Sequence, residues 1–326
     1  ANTMSSFRLN FRPFNDTTLF GQDESELSEL LATMKSQEED PEYQCTDYLK
    51  EHESLQRFES NTVDNACRIR MCEWCYEIAD VLEFSRETVV HAISYLDRYL
   101  CACQGRHVLR DHTHYQKAAM TALHIAIKVH EPTKFDLNDL VECSTLIGKF
   151  SPEEFEEMEI EMLFALKWRV NGPTPVGFIR CYLALMSGSQ DHALTSALVY
   201  ASQFQVELGV FNYHLVDRAR SEIAFAAVVN AVLEVDDRVL SIDKKRQFIS
   251  ELEEITSMAA ASDDSLQIQF TLAALLEDVV CTDVKQQQNK GEEISDGEFS
   301  ERTVLTSSAS EPGIPMASLC NNQISS

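Results

Sequence analysis

The chain has 326 residues, 44% of them hydrophobic, which is enough for two domains of ordinary size with sizeable cores. Its formal net charge of -26 repels polyanions on average and argues against nucleic acid or an anionic membrane as its partner. No apolar run reaches the roughly 18 residues of a membrane span. The first fifteen residues contain no apolar signal core, so we expect a protein of the nucleus or cytoplasm.

Residues that break helices are scarce in this chain. Its ten glycines and eight prolines are about half the usual share of these residues, which favours long uninterrupted helices. Several of the ten cysteines lie within apolar helical patterns, where we expect small buried side chains rather than a disulfide framework.

The N-terminal stretch differs in character from the rest of the first half. Residues 1–40 are acidic and lack sustained periodicity, which predicts a loosely ordered extension. The phenylalanines in this stretch leave open a second interpretation, in which it docks on a partner or on the body of the protein. Helical patterns then cover about 41–59 and 64–83, and Ser85 is placed to cap a third helix that ends near residue 102.

The fourth helical pattern, Ala118 to Val129, is apolar or small almost all the way round. A helix of that kind has no solvent face, so we expect it at the centre of a bundle. A short helix is expected after Asp136. Ser151, followed by a proline and then Glu154, predicts a capped helix start, and that helix extends to about residue 168.

The second half of the chain repeats this arrangement after a break at Asn171-Gly172-Pro173. The predicted helices of this half cover about 174–187, 191–208, 217–235, 243–258 and 263–281. The third of them is again apolar all round, from Ile223 to Leu233. The repeated order indicates two similar helical bundles in tandem.

The prediction is an all-α fold of two tandem five-helix bundles, with an N-terminal helix and flexible tails. The expected divisions are the extension 1–40, a first bundle with its preceding helix over 41–171, a second bundle over 172–285, and a tail over 286–326. The tail is rich in Ser, Thr, Glu and Gly and has one aromatic residue, so it cannot bury enough surface to offset its ordering entropy.

Four short motifs stand in order on the predicted helices of the first half. They are Arg68 with Trp74, Asp97-Arg98-Tyr99, Lys128 with Glu131, and Met158-Glu159. Together they resemble the cyclin box over about 60–170, and the second half resembles a second box more weakly. The resemblance implies a non-enzymatic, all-helical regulatory subunit that binds and activates a cyclin-dependent protein kinase, without a cofactor or a metal.

The resemblance also implies roles for two pairs of charged residues. Lys128 and Glu159 match the pair that holds the kinase, whereas Arg68 and Asp97 match an internal ion pair between two helices. For Lys128, the alternative is a side chain that extends to solvent from the end of a helix. For Glu159, and for Arg68 and Asp97, the alternative is a charge on a solvated helix face.

Cell-cycle cyclins carry a shallow patch that captures short basic-hydrophobic motifs of substrates and inhibitors. The matching positions are Cys67, Arg70, Met71, Trp74, Glu77 and, on the central helix, Gln116. The family usually has an aliphatic residue where this chain has Arg70, and a cation there opposes a basic motif. In the tail, Arg302 and Leu305 match a minimal destruction box, which implies a ubiquitin ligase as a further partner.

Other functions have weaker support in the sequence. Cys101 and Cys103 with His112 and His114 form the best zinc candidate, although their spacing matches no common site. The basic run that begins at Lys244 could serve as a nuclear signal. A cyclin-fold adaptor or a transcription-associated factor that activates no kinase is the alternative function. The tail and the partial docking patch favour cell-cycle control.

Overall fold

The computed structural model of the chain describes residues 23–53, 62–132, 150–186 and 192–292. Within these ranges all regular structure is helical, as predicted. The first six α-helices are α1 (Glu24–Glu39), α2 (Tyr48–Glu53), α3 (Asn65–Val81), α4 (Arg86–Cys101), α5 (His112–His130) and α6 (Pro152–Ala165). The next five are α7 (Pro175–Leu185), α8 (His192–Gly209), α9 (Arg220–Glu234), α10 (Ile242–Thr256) and α11 (Asp263–Glu292).

Side-chain caps fix where the helices of the first half begin. The predicted caps are confirmed: Ser85 accepts a hydrogen bond at the start of α4, and Ser151 forms a reciprocal capping box with Glu154 at the start of α6. Helix α5 begins at His112, six residues before the predicted start. The reason is Asp111, whose carboxylate accepts hydrogen bonds from the first backbone N–H groups of the helix.

Helix α5 is the centre of the first core, as its composition predicts. Small side chains bury its faces against α3, α4 and α6, and Ala118, Ala122 and Ala126 are each at most 1% exposed. The large side chains of α4 fill the space on one side, with Leu96 and Tyr99 fully buried. The short helix predicted after Asp136 lies outside the described residues.

The second core forms around α9, which confirms the second apolar prediction. The side chains of Phe225, Val228 and Val232 are at most 1% exposed between α7, α8 and α11. Helix α11 continues to Glu292, so residues 286–292 are helical where the prediction placed a disordered tail. Long unbranched residues such as Lys and Gln dominate this end, and they favour the helix. Residues 293–326 lie outside the described part.

The expectation of a loosely ordered segment 1–40 is wrong for its second half. Helix α1 packs on the second bundle, where Leu31 and Met34 join the core. The Nζ atom of Lys35 donates to the carbonyl of Thr256 at 2.6 Å, and the Glu38 carboxylate accepts from the backbone of Ser221 at 2.8 Å. Helix α1 has few apolar residues among its acidic ones, so no clear apolar stripe is visible in its sequence. Residues 1–22 lie outside the described part.

The first helix predicted for the box, 41–59, is also corrected. Pro41–Tyr43 forms a single 3₁₀ turn, residues 44–47 are not helical, and α2 begins only at Tyr48. Asp40 caps the turn, and Gln44 leaves it with extended backbone, so the chain does not continue as one helix. Among the described residues, no helix has the length and apolar character that crossing a membrane requires.

Candidate functional site

Arg68 of α3 and Asp97 of α4 form a buried, two-pronged ion pair. The Nε atom of Arg68 lies 3.1 Å from Oδ1 of Asp97, and Nη2 lies 2.8 Å from Oδ2. Only 4% and 7% of the two side chains are exposed. Burial opposes the charge on Arg68, but the Asp97 carboxylate outweighs it and raises the pKa of the guanidinium. The guanidinium of Arg68 therefore keeps its charge inside the fold.

The same ion pair ties three parts of the chain together. The Tyr48 hydroxyl of α2 donates to Asp97 Oδ1 at 2.8 Å, and Nη1 of Arg68 donates to the carbonyl of Val210 at 2.6 Å. Val210 follows α8, so the arginine reaches the second bundle. The position of α3 and α4 is thus fixed relative to α2 and α8, and the surface that α5 and α6 present has a rigid support.

Lys128 and Glu159 lie together at the surface of the first bundle. The Nζ atom of Lys128, at the end of α5, is 2.5 Å from Oε1 of Glu159 on α6. The lysine side chain is 49% exposed and the carboxylate 16% exposed. Nδ1 of His124 lies 3.8 Å from the other carboxylate oxygen, so Glu159 sits between two basic groups.

Helix α6 and the turn after it expose three large apolar side chains that the sequence analysis missed. Ile160 is 53% exposed, Phe164 is 66% exposed and Trp168 is 60% exposed. The Phe164 and Trp168 rings meet edge to face with centroids 6.0 Å apart. The four-residue spacing of Ile160 and Phe164 places both on one side of α6, and the turn after the helix brings Trp168 against Phe164. A contiguous exposed apolar patch of this kind marks a site of protein contact.

The turn that carries Trp168 is held in an unusual backbone conformation. Lys167 and Trp168 have φ angles of 51° and 61°, the left-handed region that bulky residues seldom adopt. The N–H of Trp168 donates to the carbonyl of Leu163 at 2.9 Å, and the Lys167 side chain pairs with Glu42 at 2.5 Å. Backbone strain of this kind persists only where surrounding contacts enforce it, and it is typical of functional positions.

The predicted docking patch is closed in this structure. Cys67, Met71 and Trp74 of α3 are between 4% and 7% exposed, so they do not form an open apolar floor. Nη2 of Arg70 lies 3.3 Å from the Cys67 sulfur. Of the remaining positions, Glu77 is exposed and Gln116 of α5 is half-buried. Docking at this surface therefore requires Met71 and Trp74 to become accessible.

A carboxyl group beside this patch titrates near neutral pH. Burial raises the pKa of Glu73 from 4.5 to about 7, the Glu77 charge one turn away adds to the rise, and Arg70 opposes it. The pKa of Glu73 is higher in the folded chain than in the unfolded chain. Glu73 therefore favours the folded state below about pH 4.5, and this contribution to the free energy of unfolding is lost as the pH rises through about 7.

Glu73→Gln is therefore expected to raise the melting temperature at pH 8 more than at pH 5. The amide keeps the shape of the side chain but carries no charge to desolvate. Thermal unfolding followed by circular dichroism at both pH values measures the difference from wild type. An equal effect at the two pH values would show that the Glu73 charge does not cause it.

The alternative sites receive little support from the geometry. The described residues, which include Cys101, Cys103, His112 and His114, contain no group of three or more His, Cys, Asp and Glu side chains that could hold a metal. In the basic run, Lys245 is 7% exposed, and its Nζ donates to the carbonyl of Leu233 at 3.0 Å. The proposed destruction-box residues Arg302 and Leu305 lie outside the described residues.

Comparison with known proteins shows that the chain is similar to cyclins. Residues 29–171 match the family profile "Cyclin, N-terminal domain". A solved X-ray structure of a viral cyclin from herpesvirus saimiri is similar in fold, with a TM-score of 0.54 and 16% identity. That match covers 79% of this chain and 98% of the viral chain.

Curated sequences from several organisms are also similar. Cyclin-A3-2 of Oryza sativa subsp. japonica is 28% identical over 58% of this chain and 48% of its own length. G2/mitotic-specific cyclin-2 of Antirrhinum majus is 31% identical over 52% and 36%. G1/S-specific cyclin CLN2 of Candida albicans is 29% identical over 50% and 36%. The chain spans about half or less of the length of these relatives, and their similar identities favour no one group.

Proposed function

This chain belongs to the cyclin family, whose members are non-catalytic regulatory subunits of protein kinases, and we propose that it binds and activates a cyclin-dependent Ser/Thr protein kinase. The observation that carries the proposal is the Lys128–Glu159 pair between α5 and α6, together with the exposed side chains of Ile160, Phe164 and Trp168 on α6 and the turn after it. We call this surface, formed by α5 and α6, the α5–α6 face.

The α5–α6 face has the anatomy of a specific protein interface. Large apolar side chains supply the centre of such an interface, and polar groups at its edge set the orientation. Lys128 offers three hydrogen-bond donors and Glu159 offers several acceptor positions. In the free chain they bind each other, so a partner can exchange that bond for bonds to its own loop and helix-end backbone groups.

Activation follows from selective binding rather than from chemistry supplied by this chain. The α5–α6 face would hold the small-lobe helix of the kinase inward, so that the glutamate of that helix pairs with the catalytic lysine. A kinase state that binds this face better becomes more populated, and the gain is limited by the difference in affinity between the two states. The rigid support from the Arg68–Asp97 pair keeps the face in shape for this selection.

The proposal includes a role in cell-cycle control, in the nucleus or the cytoplasm. The names of the similar proteins, which include G2/mitotic-specific and G1/S-specific cyclins, support it. It also includes substrates or inhibitors with short motifs at the α3 patch, once that patch opens, and a ubiquitin ligase that recognises Arg302 and Leu305.

A specific observation favours a second candidate, a cyclin-fold adaptor: Arg70 occupies the docking patch and the apolar floor is buried.

Affinity purification of the full chain from dividing cells tests the proposal against these alternatives. The expected result is a co-purified cyclin-dependent kinase that mass spectrometry identifies and that phosphorylates a histone substrate. Recovery of other proteins without any kinase would favour the adaptor. A shifted band with DNA in a mobility assay, again without a kinase, would favour the transcription-associated factor.

A further inference from the structure

Two cysteines from separate elements meet near the junction of the two bundles. Cys45 lies in the non-helical segment before α2, and Cys101 is the last residue of α4. The backbone N–H of Thr46 donates to the Cys101 sulfur at 3.2 Å, and the Cys101 thiol donates to the Thr46 carbonyl at 3.6 Å. The sulfur of Cys101 is therefore seated against the residue that follows Cys45.

The residues that follow Cys45 are anchored by two tyrosine hydroxyls, which limits the movement of the two thiols relative to each other. The Tyr213 hydroxyl accepts from the N–H of Leu49 and donates to Asp47, both at 2.9 Å. The Tyr48 hydroxyl donates to Asp97, one turn before Cys101 on α4. A pair of groups held in this way loses little conformational freedom when a bond forms between them.

The two thiols differ in acidity, and an oxidant reacts with the one that ionises more readily. The neighbouring Cys45 thiol and the N–H of Thr46 lower the pKa of Cys101 against the effect of burial. The interaction with Cys101, together with burial, raises the pKa of Cys45 well above its usual value. Cys101 is thus the member of the pair that becomes the thiolate, the form that reacts with oxidants, and Cys45 keeps its proton.

A small oxidant can reach this pair but is kept from most other described cysteines. Cys45 and Cys101 are both half-buried residues, and Cys45 lines a cavity of about 90 Å³ between the bundles, together with Asp97 and Arg220. The described cysteines that are buried in the two cores are Cys67, Cys72, Cys75 and Cys181. Burial raises the pKa of each of these four thiols. Exposure therefore favours both Cys45 and Cys101 over the core cysteines, and acidity favours Cys101.

We propose that Cys45 and Cys101 form a reversible disulfide when the protein meets a peroxide. The Cys101 thiolate attacks one peroxide oxygen, the O–O bond breaks, and a sulfenic acid forms while the other oxygen leaves as water after protonation. The Cys45 sulfur then attacks the Cys101 sulfur, the S–O bond breaks, and a second water leaves. The proton of the Cys45 thiol leaves with this second water, so two thiols are oxidised to one disulfide and one hydrogen peroxide is reduced to two waters.

The bond would fasten the segment before α2 to the end of α4. It would close a long loop and hold Tyr48 on Asp97, so the oxidised protein is expected to melt at a higher temperature than the reduced protein. This consequence concerns the folded chain alone and is independent of whether the α5–α6 face binds a kinase.

Peptide mapping of the full chain tests the assignment. Four cysteines that are exposed or whose side chains lie outside the described part are first replaced by serine: Cys103, Cys143, Cys281 and Cys320. The protein is treated briefly with a few equivalents of hydrogen peroxide and then alkylated with N-ethylmaleimide. Before alkylation the expected product is about 2 Da lighter than the reduced protein; after alkylation it contains a linked Cys45–Cys101 peptide, which returns to two alkylatable thiols with dithiothreitol.

Cys101→Ser in the same background is the matched control, because a hydroxyl can keep the hydrogen bonds to Thr46. This variant is expected to fold normally and to form no linked peptide. Continued alkylation of both Cys45 and Cys101 in the peroxide-treated parent would overturn the proposal. So would a disulfide that joins either one to a core cysteine, or a melting temperature that falls when the linked product forms.

Discussion

Arg68→Ala is expected to lower the free energy of unfolding by about 3–5 kcal/mol, the cost of leaving a buried charge without its partner. Asp97 would lose both bonds to the guanidinium and keep only the Tyr48 hydroxyl, in surroundings where it is 7% exposed. The carbonyl of Val210 would lose its hydrogen bond from the guanidinium as well. Urea denaturation followed by circular dichroism at 222 nm measures the change.

Two controls separate the buried charge from general effects of substitution. Arg218→Ala removes an ion pair whose partner, Asp264, is 77% exposed, so a change within about 1 kcal/mol is expected. The double variant Arg68→Met/Asp97→Leu replaces both members of the buried pair. It is expected to lower the free energy of unfolding less than Arg68→Ala alone does, because no charge is left buried. A single substitution at Arg68 that cost no more than Arg218→Ala would contradict this account of the pair.

Phe164→Ala combined with Trp168→Asn is expected to weaken binding of the kinase by at least about 2 kcal/mol, or roughly thirtyfold, because aromatic anchors dominate the energy of protein interfaces. Asparagine is chosen because it tolerates the left-handed backbone at position 168, where φ is 61°. Both rings are more than half exposed, so the fold should be preserved. Isothermal titration calorimetry with the purified kinase gives the affinity.

Phe270→Ala is the matched control for this pair of substitutions. Phe270 is 70% exposed, but it lies on α11 in the second bundle. The variant is expected to bind the kinase as wild type does. If the Phe164 and Trp168 substitutions left the affinity unchanged, or if Phe270→Ala reduced it equally, the α5–α6 face would not be the binding surface.

The sequence predicted well those features that depend on local signals. Ser85 and Ser151 cap the helices that they were expected to cap, because a capping hydroxyl acts on N–H groups two or three residues away. The apolar composition of α5 and α9 predicted their central positions, since a helix without a polar face has to be covered on all sides.

Features that depend on distant packing were not predictable in this way. Helix α1 is stabilised by Leu31 and Met34, which pack on a bundle more than 140 residues further along the chain. The exposed Phe164 was missed because it shares an apolar run with the buried Met162; the spacing of three and four between Phe155, Met158 and Met162 is the signal that could have separated it. The closed state of Met71 and Trp74 likewise depends on contacts that the spacing of α3 does not reveal.

The central claim is that the Lys128–Glu159 pair directs activation of a kinase. The most direct test compares wild type with Lys128→Ala/Glu159→Ala in an assay of histone phosphorylation by the purified kinase. A second variant, Arg218→Ala/Asp264→Ala, removes an ion pair of the second bundle as a control. We expect at least about tenfold weaker activation by the first variant, with unchanged circular dichroism and melting temperature, and full activation by the control. Full activation by Lys128→Ala/Glu159→Ala would contradict the central claim.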